Sequence, residues 1–246
     1  MVEEDAPTPV LTGLNNPANV AVDSTSIYIS DPGNNRVIKV PLAGGPTTTL
    51  AAGLNNPAGV AVDSTSIYIS DSGNNQVIKV PLAGGTTTML AAGLNNPAGV
   101  AVDSNNVYVS DSGHNLLIKV PLAGGATTNL CSTPLNNPTG VAVHGTSVYV
   151  SDSGNNQVVT VPVAGGIATM LLAPVNRPAG LAVDSSGNCY IIGNGQVLKL
   201  ATGTTTPTTL VSGVNMTKVS ATITLVSILN PAGVAVDSSG KLYVTA

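Results

Sequence analysis

Residues 54–85 read LNNPAGVAVDSTSIYISDSGNNQVIKVPLAGG, and nearly the same words stand at 14–45 and 94–125. Inside this stretch, short β-prone runs alternate with turn chemistry. The runs are 59–63 (GVAVD), 66–71 (SIYISD), 76–82 (QVIKVPL) and, just beyond it, 86–91 (TTTMLA). STS, SGNN and AGG separate them, and Gly, Asn and Ser are the residues tight turns demand. Branching at Cβ stiffens Val, Ile and Thr and favours pleated sheet. Four strands joined this way make an antiparallel meander. The absence of a 3.6-residue period excludes a helical solenoid.

The proline of NNPAG marks each unit. It falls at Pro17, Pro57, Pro97, Pro138, Pro178 and Pro231, with steps of 40, 40, 41, 40 and 53 residues. A period near 40 with four strands per unit is the signature of a β-propeller. Six landmarks predict an all-β, six-bladed propeller of four-stranded antiparallel blades. It forms a single domain over residues 1–246, with residues 1–9 as a tail. The first strand, nearest the axis, carries a small residue: Ala21, Ala61, Ala101, Ala142, Ala182 and Ala235. The fourth is Thr-rich, as suits an outer edge. The middle strands are apolar at consecutive positions, as in sheets covered on both faces. One tyrosine per unit, at Tyr28, Tyr68, Tyr108, Tyr149, Tyr190 and Tyr243, is expected to pack between blades with its hydroxyl bonded.

The last unit supplies only GVAVD and KLYVTA. The segment 10–14 (VLTGL) matches a fourth strand, so the N-terminal strand is expected to join the last blade and close the ring, removing exposed edges. Even so, one strand is missing. The long final step holds a strand-like segment, KVSATITLVSIL at 218–229. It either adds an outer hairpin or fills the gap, and the expectation is a shortened or thin last blade rather than strand replacement.

Composition agrees with an ordered β protein: 43% hydrophobic and 8% charged residues, with 27 Gly and 17 Pro and neither Phe nor Trp. Net charge is −4, and the eight Lys and Arg are scattered. Without a basic stripe, nucleic acid and acidic membrane surfaces are not expected partners. No apolar run approaches the ~20 residues of a membrane helix, so direct insertion is not expected. The start, MVEEDAPTP, is acidic and does not read as a signal peptide. Cys131 and Cys189 sit at different phases of the repeat and read as two small buried thiols.

The words PANVAVD…YISDPGNNRVIKV, PAGVAVD…YISDSGNNQVIKV and PTGVAVH…YVSDSGNNQVVTV resemble the NHL repeat, a family of six-bladed propellers. Within that family the chain resembles the extracellular sensor propeller of a mycobacterial serine/threonine kinase. The resemblance implies a noncatalytic binding module for a protein, peptide or carbohydrate ligand, bacterial and exported to the periplasm or cell surface. It also admits lactonase- or lyase-type enzymes with a metal on the central channel. The near-copied first units admit a third reading, a repeat scaffold without a specific ligand. Two units depart from the pattern. His144 stands where other units carry Asp23, Asp63, Asp103, Asp184 and Asp237, and unit 5 shortens YISDSGNNQ to YIIGNGQ.

Catalytic constellations are not evident. A lactonase-like Glu ligand has only Glu3 and Glu4 as candidates, both in the tail, and His114 and His144 lie in different turn types. No GxSxG elbow is present. The expectation is therefore no enzyme, no cofactor and no metal. Asp31, Asp71, Asp111 and Asp152 precede Ser/Pro-Gly-Asn turns, and a carboxylate there holds the turn by accepting backbone N–H groups. A calcium loop would need six to eight oxygens, which DSGNN does not offer. Lys39, Lys79 and Lys119 recur at one phase of the third strand, where the outer side lets them snorkel.

In a propeller the fourth-to-first connections and the second-to-third turns emerge on one face. Here these are LNNP and DSGNN, so that face is paved with Asn, Asp, Ser and Gly. Asn offers both donor and acceptor, suiting polar uncharged ligands. Candidate ligand contacts are Asn16, Asn56, Asn96, Asn137 and Asn230. In unit 5 LNNP becomes VNRP, and the surplus segment follows in the next connection. A cleft there is expected, with Arg177 anchoring an anionic group beside Asn176 and Lys218.

Overall fold

The computed structural model describes residues 11, 13–212, 223–225 and 231–245. They form a β-propeller. The second unit shows the pattern: Pro57–Val62, Ser66–Asp71, Gln76–Pro81 and Thr88–Ala91 make one four-stranded sheet in chain order, every neighbour antiparallel. The first strand starts two residues before the expected run. Pro57 already pairs with Asp71, and the register shifts between Pro57 and Val60. A three-residue 3-10 turn, Ser72–Asn74, joins the second and third strands.

Among the described residues there are five such four-stranded blades, not the six expected. The sixth sheet has three strands, ordered Ile223–Leu225, Leu242–Thr245, Gly233–Val236. Its outer strand comes from the surplus segment and runs parallel to Leu242–Thr245. The last blade is thus thin, as expected, but its third strand is supplied by the surplus segment, which was not expected. The run ITL, with β-branched Ile223 and Thr224, is strand-prone and pairs with the edge of Leu242–Thr245. The N-terminal strand expected to join this sheet, 10–14, lies partly outside the described residues. Leu11, Gly13 and Leu14 carry no strand.

The hydrophobic core lies between blades rather than within them. Tyr68 and Val77 of the second blade pack with Val107, Val109 and Ile118 of the third. Ile67, Ile69 and Ile78 of the same second blade pack with Tyr28 and Val37 of the first. Alternate residues of one strand therefore serve opposite neighbours, which explains the apolar run IYI. The last such cluster joins Ala235 and Tyr243 to Val20, Ile27 and Ile29, closing the ring. First strands of successive units touch around the circle, and the last touches the first.

Glycine lets those first strands approach. A Cβ on Gly59 would strike the carbonyl oxygen of Ala98, and one on Gly99 would strike that of Thr139. The same holds for Gly140 against Ala179. The Gly of NNPAG is thus required by the backbone of the next blade. Inside the ring, five Val-Ala-Val triplets and Leu181–Val183 line a 180 Å³ cavity, and a 110 Å³ cavity at the mouth is walled mainly by Ala and Gly, with Asn19 and Thr139.

Candidate functional site

The loop-rich face is built by a hydrogen-bond device repeated in four blades. In the second, Asp71 is buried at the end of its strand. Its Oδ1 accepts the backbone N–H of Asn55 at 2.7 Å, from the connection preceding the blade. Its Oδ2 accepts the Asn74 and Gln76 side-chain amides at 2.7 and 2.9 Å. Asp31 and Asp152 accept equivalent bonds from Asn15 and Asn136, each at 2.7 Å. Arg36 takes the place of the glutamine on Asp31, with Nε at 2.8 Å. Each carboxylate thus ties its turn to the incoming connection, and both oxygens are occupied by donors of the chain. Gly73 completes the fit: it donates to the carbonyl of Asn55 at 2.8 Å, and the Asn55 amide fills the space its Cβ would need.

The second asparagine of LNNP behaves differently. Asn16, Asn56, Asn96 and Asn137 all have positive φ, between 47° and 57°. Asn tolerates this left-handed backbone better than most residues. The backbone N–H of Asn56 donates to Asn35 Oδ1 at 3.1 Å, and that of Asn96 to Asn75 Oδ1 at 3.0 Å. The four side chains are exposed. Their positions repeat once per blade, and Arg177 occupies the fifth, with φ 47° and its N–H on Asn156 Oδ1 at 2.9 Å. Asn176 is exposed beside it, its carbonyl accepting the N–H of Asn194 at 3.2 Å. Lys218 and Asn230 lie outside the described residues, so the cleft expected at Arg177 and Lys218 does too.

The opposite face carries a second set of aspartates. Asp63 Oδ1 accepts from the backbone N–H groups of Thr65 and Ser66 at 2.7 and 2.8 Å, and Oδ2 accepts the Tyr68 hydroxyl at 2.7 Å. Asp23, Asp103, Asp184 and Asp237 likewise each take the hydroxyl of their blade's tyrosine. Partial burial alone would raise these carboxyls. The hydrogen bonds outweigh it and hold all five below the usual aspartate value. Burial, together with the adjacent carboxylate, pushes the Tyr243 phenol up to about 12. Lys39, Lys79, Lys199 and Lys241 lie over their partner tyrosine rings at 5.4–5.8 Å, a contact the outward-snorkelling reading missed. Blade 4 breaks the set: His144 replaces the aspartate and Thr160 the lysine, leaving Tyr149 without either partner.

Blade 3 breaks the loop-rich face instead. Asp111 Oδ1 accepts the Asn95 N–H at 2.7 Å, but Oδ2 meets His114 Nδ1 at 2.8 Å, where other blades use Asn34, Asn74 or Asn155. Leu116 stands where they carry Arg36, Gln76 or Gln157. A 360 Å³ cavity opens here, lined by His114, Leu116, Asn129, Cys131, Ser132 and Thr133 among others. The sequence signal was available: SGHNLL departs from SGNNQV, and the following connection, LCSTPLNNP, is one residue longer than LAAGLNNP. Cys131 and Cys189 are free and buried, and burial raises both thiols, Cys189 to about 12. No group of three or more His, Cys, Asp or Glu side chains converges on a common point among the described residues.

Residues 94–119 match the family model of the NHL repeat. The chain is a β-propeller bearing an NHL repeat. No curated protein matches its sequence. Among solved structures it is similar to a gluconolactonase from Xanthomonas campestris, with TM-score 0.78 and 16% identity over 97% of this chain and 85% of that one. It is similar to a streptogramin B lyase, with TM-score 0.71 and 12% identity over 98% and 91%. It is also similar to a chain of a nidogen/laminin complex, with TM-score 0.71 and 20% identity over 86% and 82%. Identities this low establish a shared fold. They also correct the expectation that this chain is not an enzyme: structures of the same architecture include a lactonase and lyases, so the fold carries no argument against catalysis.

Proposed function

We propose that this propeller is a binding module whose loop-rich face takes a polar, uncharged ligand, a glycan or the backbone of a peptide. One observation carries the reading. At the same position of four blades an asparagine is fixed by its backbone in the left-handed region while its side-chain amide is exposed, and Arg177 stands in the fifth. The backbone geometry explains a residue that tolerates positive φ, but glycine would satisfy it equally well. Asparagine adds a donor and an acceptor at each station. The buried aspartates hold these stations rigid, which lowers the ordering cost of binding.

The test uses that distinction. Asn56→Gly, Asn96→Gly and Arg177→Gly keep the backbone conformation and remove the side chain. The parent and the triple variant are applied to a glycan array and a peptide library. Loss of the parent's ligand at a melting temperature no lower than the parent's supports the reading. Equal binding by the triple variant overturns it, as does a parent that binds nothing on either surface.

A further inference from the structure

We infer that the cavity beside the third blade is a subsite for a single sugar residue. The inference rests on the glycan branch of the reading above and gives it a second location. The cavity exists because blade 3 ends irregularly. Its fourth strand is only Thr128–Asn129, after which the chain crosses toward blade 4. Ser132 donates to the carbonyl of Gly166 at 2.9 Å, Gly166 donates to that of Leu130 at 3.0 Å, and Cys131 bridges Gly166 in parallel fashion. Thr133 Oγ1 accepts the N–H of Ala168 at 3.1 Å. The outer wall is thereby pinned to the next blade, and the space behind it does not depend on a ligand.

The lining groups have their own chemistry after internal bonds are counted. His114 Nδ1 donates to Asp111 Oδ2 at 2.8 Å, which leaves Nε2 free for one hydrogen bond to a ligand. Asn129 Oδ1 accepts the N–H of Cys131 at 3.2 Å, which leaves its amide N–H groups as donors. The Thr133 hydroxyl has accepted one bond and retains its own proton to donate. The Cys131 thiol donates to the carbonyl of Thr133 at 3.2 Å and adds soft apolar surface. Leu116, Pro134 and Leu135 supply the rest of the apolar wall. Hydrogen-bonding groups beside an aliphatic surface match a pyranose, whose hydroxyls both give and take while its C–H face seeks apolar contact. A cavity of 360 Å³ has room for one such ring. None of the lining side chains is a carboxylate or an aliphatic amine.

The sibling blades supply gentle variants. His114→Asn and Leu116→Gln each restore what blades 2 and 4 already carry, so Asp111 keeps its donors and the fold is retained. Methyl glycosides of glucose, galactose, mannose and N-acetylglucosamine are titrated while the His114 ring and the Cys131 amide are followed by NMR. One of the four should shift both signals saturably. His114→Asn should weaken it by about tenfold, the worth of one lost hydrogen bond. Leu116→Gln should weaken it further by removing apolar wall that faces the sugar's C–H surface. If no glycoside moves the His114 ring, or both variants bind like the parent, the subsite falls. Glycan-array binding that is undiminished in His114→Asn but fails in the triple glycine variant would overturn the subsite alone. The reverse pattern would retain the subsite and remove the asparagine stations.

Discussion

Asp71 accepts the backbone N–H of Asn55, sixteen residues earlier, at 2.7 Å, and through that bond a blade's central hairpin grips the connection that delivers it. The bond crosses from the buried end of one strand to the exposed face. It sets the position of Asn56, and hence of the side chain displayed to solvent.

Removing this grip is costly. Asp71→Ala leaves the Asn55 N–H and two side-chain amides without their acceptor. The expected loss is about 3 kcal/mol, since hydrogen bonds to charged groups are the strong ones and the orphaned donors add to it. Chemical denaturation measures it. A loss below about 1 kcal/mol would mean the turn holds without the carboxylate.

Gly99→Ala tests the close approach at the axis. The added methyl would meet the carbonyl of Thr139 and, at 2.7 Å, the nitrogen of Val141, both backbone atoms of the next blade. Neither can rotate away, so an overpacking cost of about 2 kcal/mol is expected. Ala at the open position Gly93 would not clash, but φ 71° there strains any L side chain, which makes Gly53→Asn the better control. Thermal unfolding of the two variants separates crowding from backbone effects.

Arg177→Gly should stabilise the protein. Arginine at φ 47° carries strain that glycine does not. Relief of about 1 kcal/mol is expected, and the N–H bond to Asn156 is retained. A denaturation midpoint that falls instead would show that the Arg177 side chain makes a stabilising contact.

Acid and alkali should each unfold the ring through the opposite face. Asp23, Asp63, Asp103, Asp184 and Asp237 have folded-state pKa values below the ordinary 3.8. Their contribution is full above pH 3.8 and is lost as pH falls through the depressed values. The tyrosines shift the other way. Tyr243, raised from 10.0 to about 12, contributes below pH 10 and loses that contribution as pH climbs toward 12. Denaturation followed across pH should show a plateau between these limits. Replacing Asp63 by Asn should flatten the acid limb; an unchanged limb would assign it to other groups.

Much of this was legible in the sequence because it is local. The second strand, Ser66–Asp71, was bounded correctly by its turn residues, and the recurring Pro57, Pro97 and Pro138 gave the unit length. The relations that cross between blades were not legible. Nothing in the order of residues pairs Asp71 with Asn55, or shows that Gly59 faces the backbone of Ala98. The Tyr68 hydroxyl was expected to find a partner, but nothing in the order of residues names Asp63 as that partner. Six landmarks overstate the number of four-stranded blades for a similar reason. A proline landmark reports where a unit begins, whereas a blade needs four strands, and the sheet at Pro231 is finished by a parallel strand from elsewhere in the chain.

Because each wedge presents one set of side chains to the neighbour on its left and a matching set to the neighbour on its right, wedges of this kind are interchangeable masonry. An in-frame duplication of one unit lands between two surfaces it already fits. Such a gene can lengthen or shorten its circle by unequal crossing-over, and a single copy can differ, as blade 3 does at His114, while its neighbours keep surfaces it still fits.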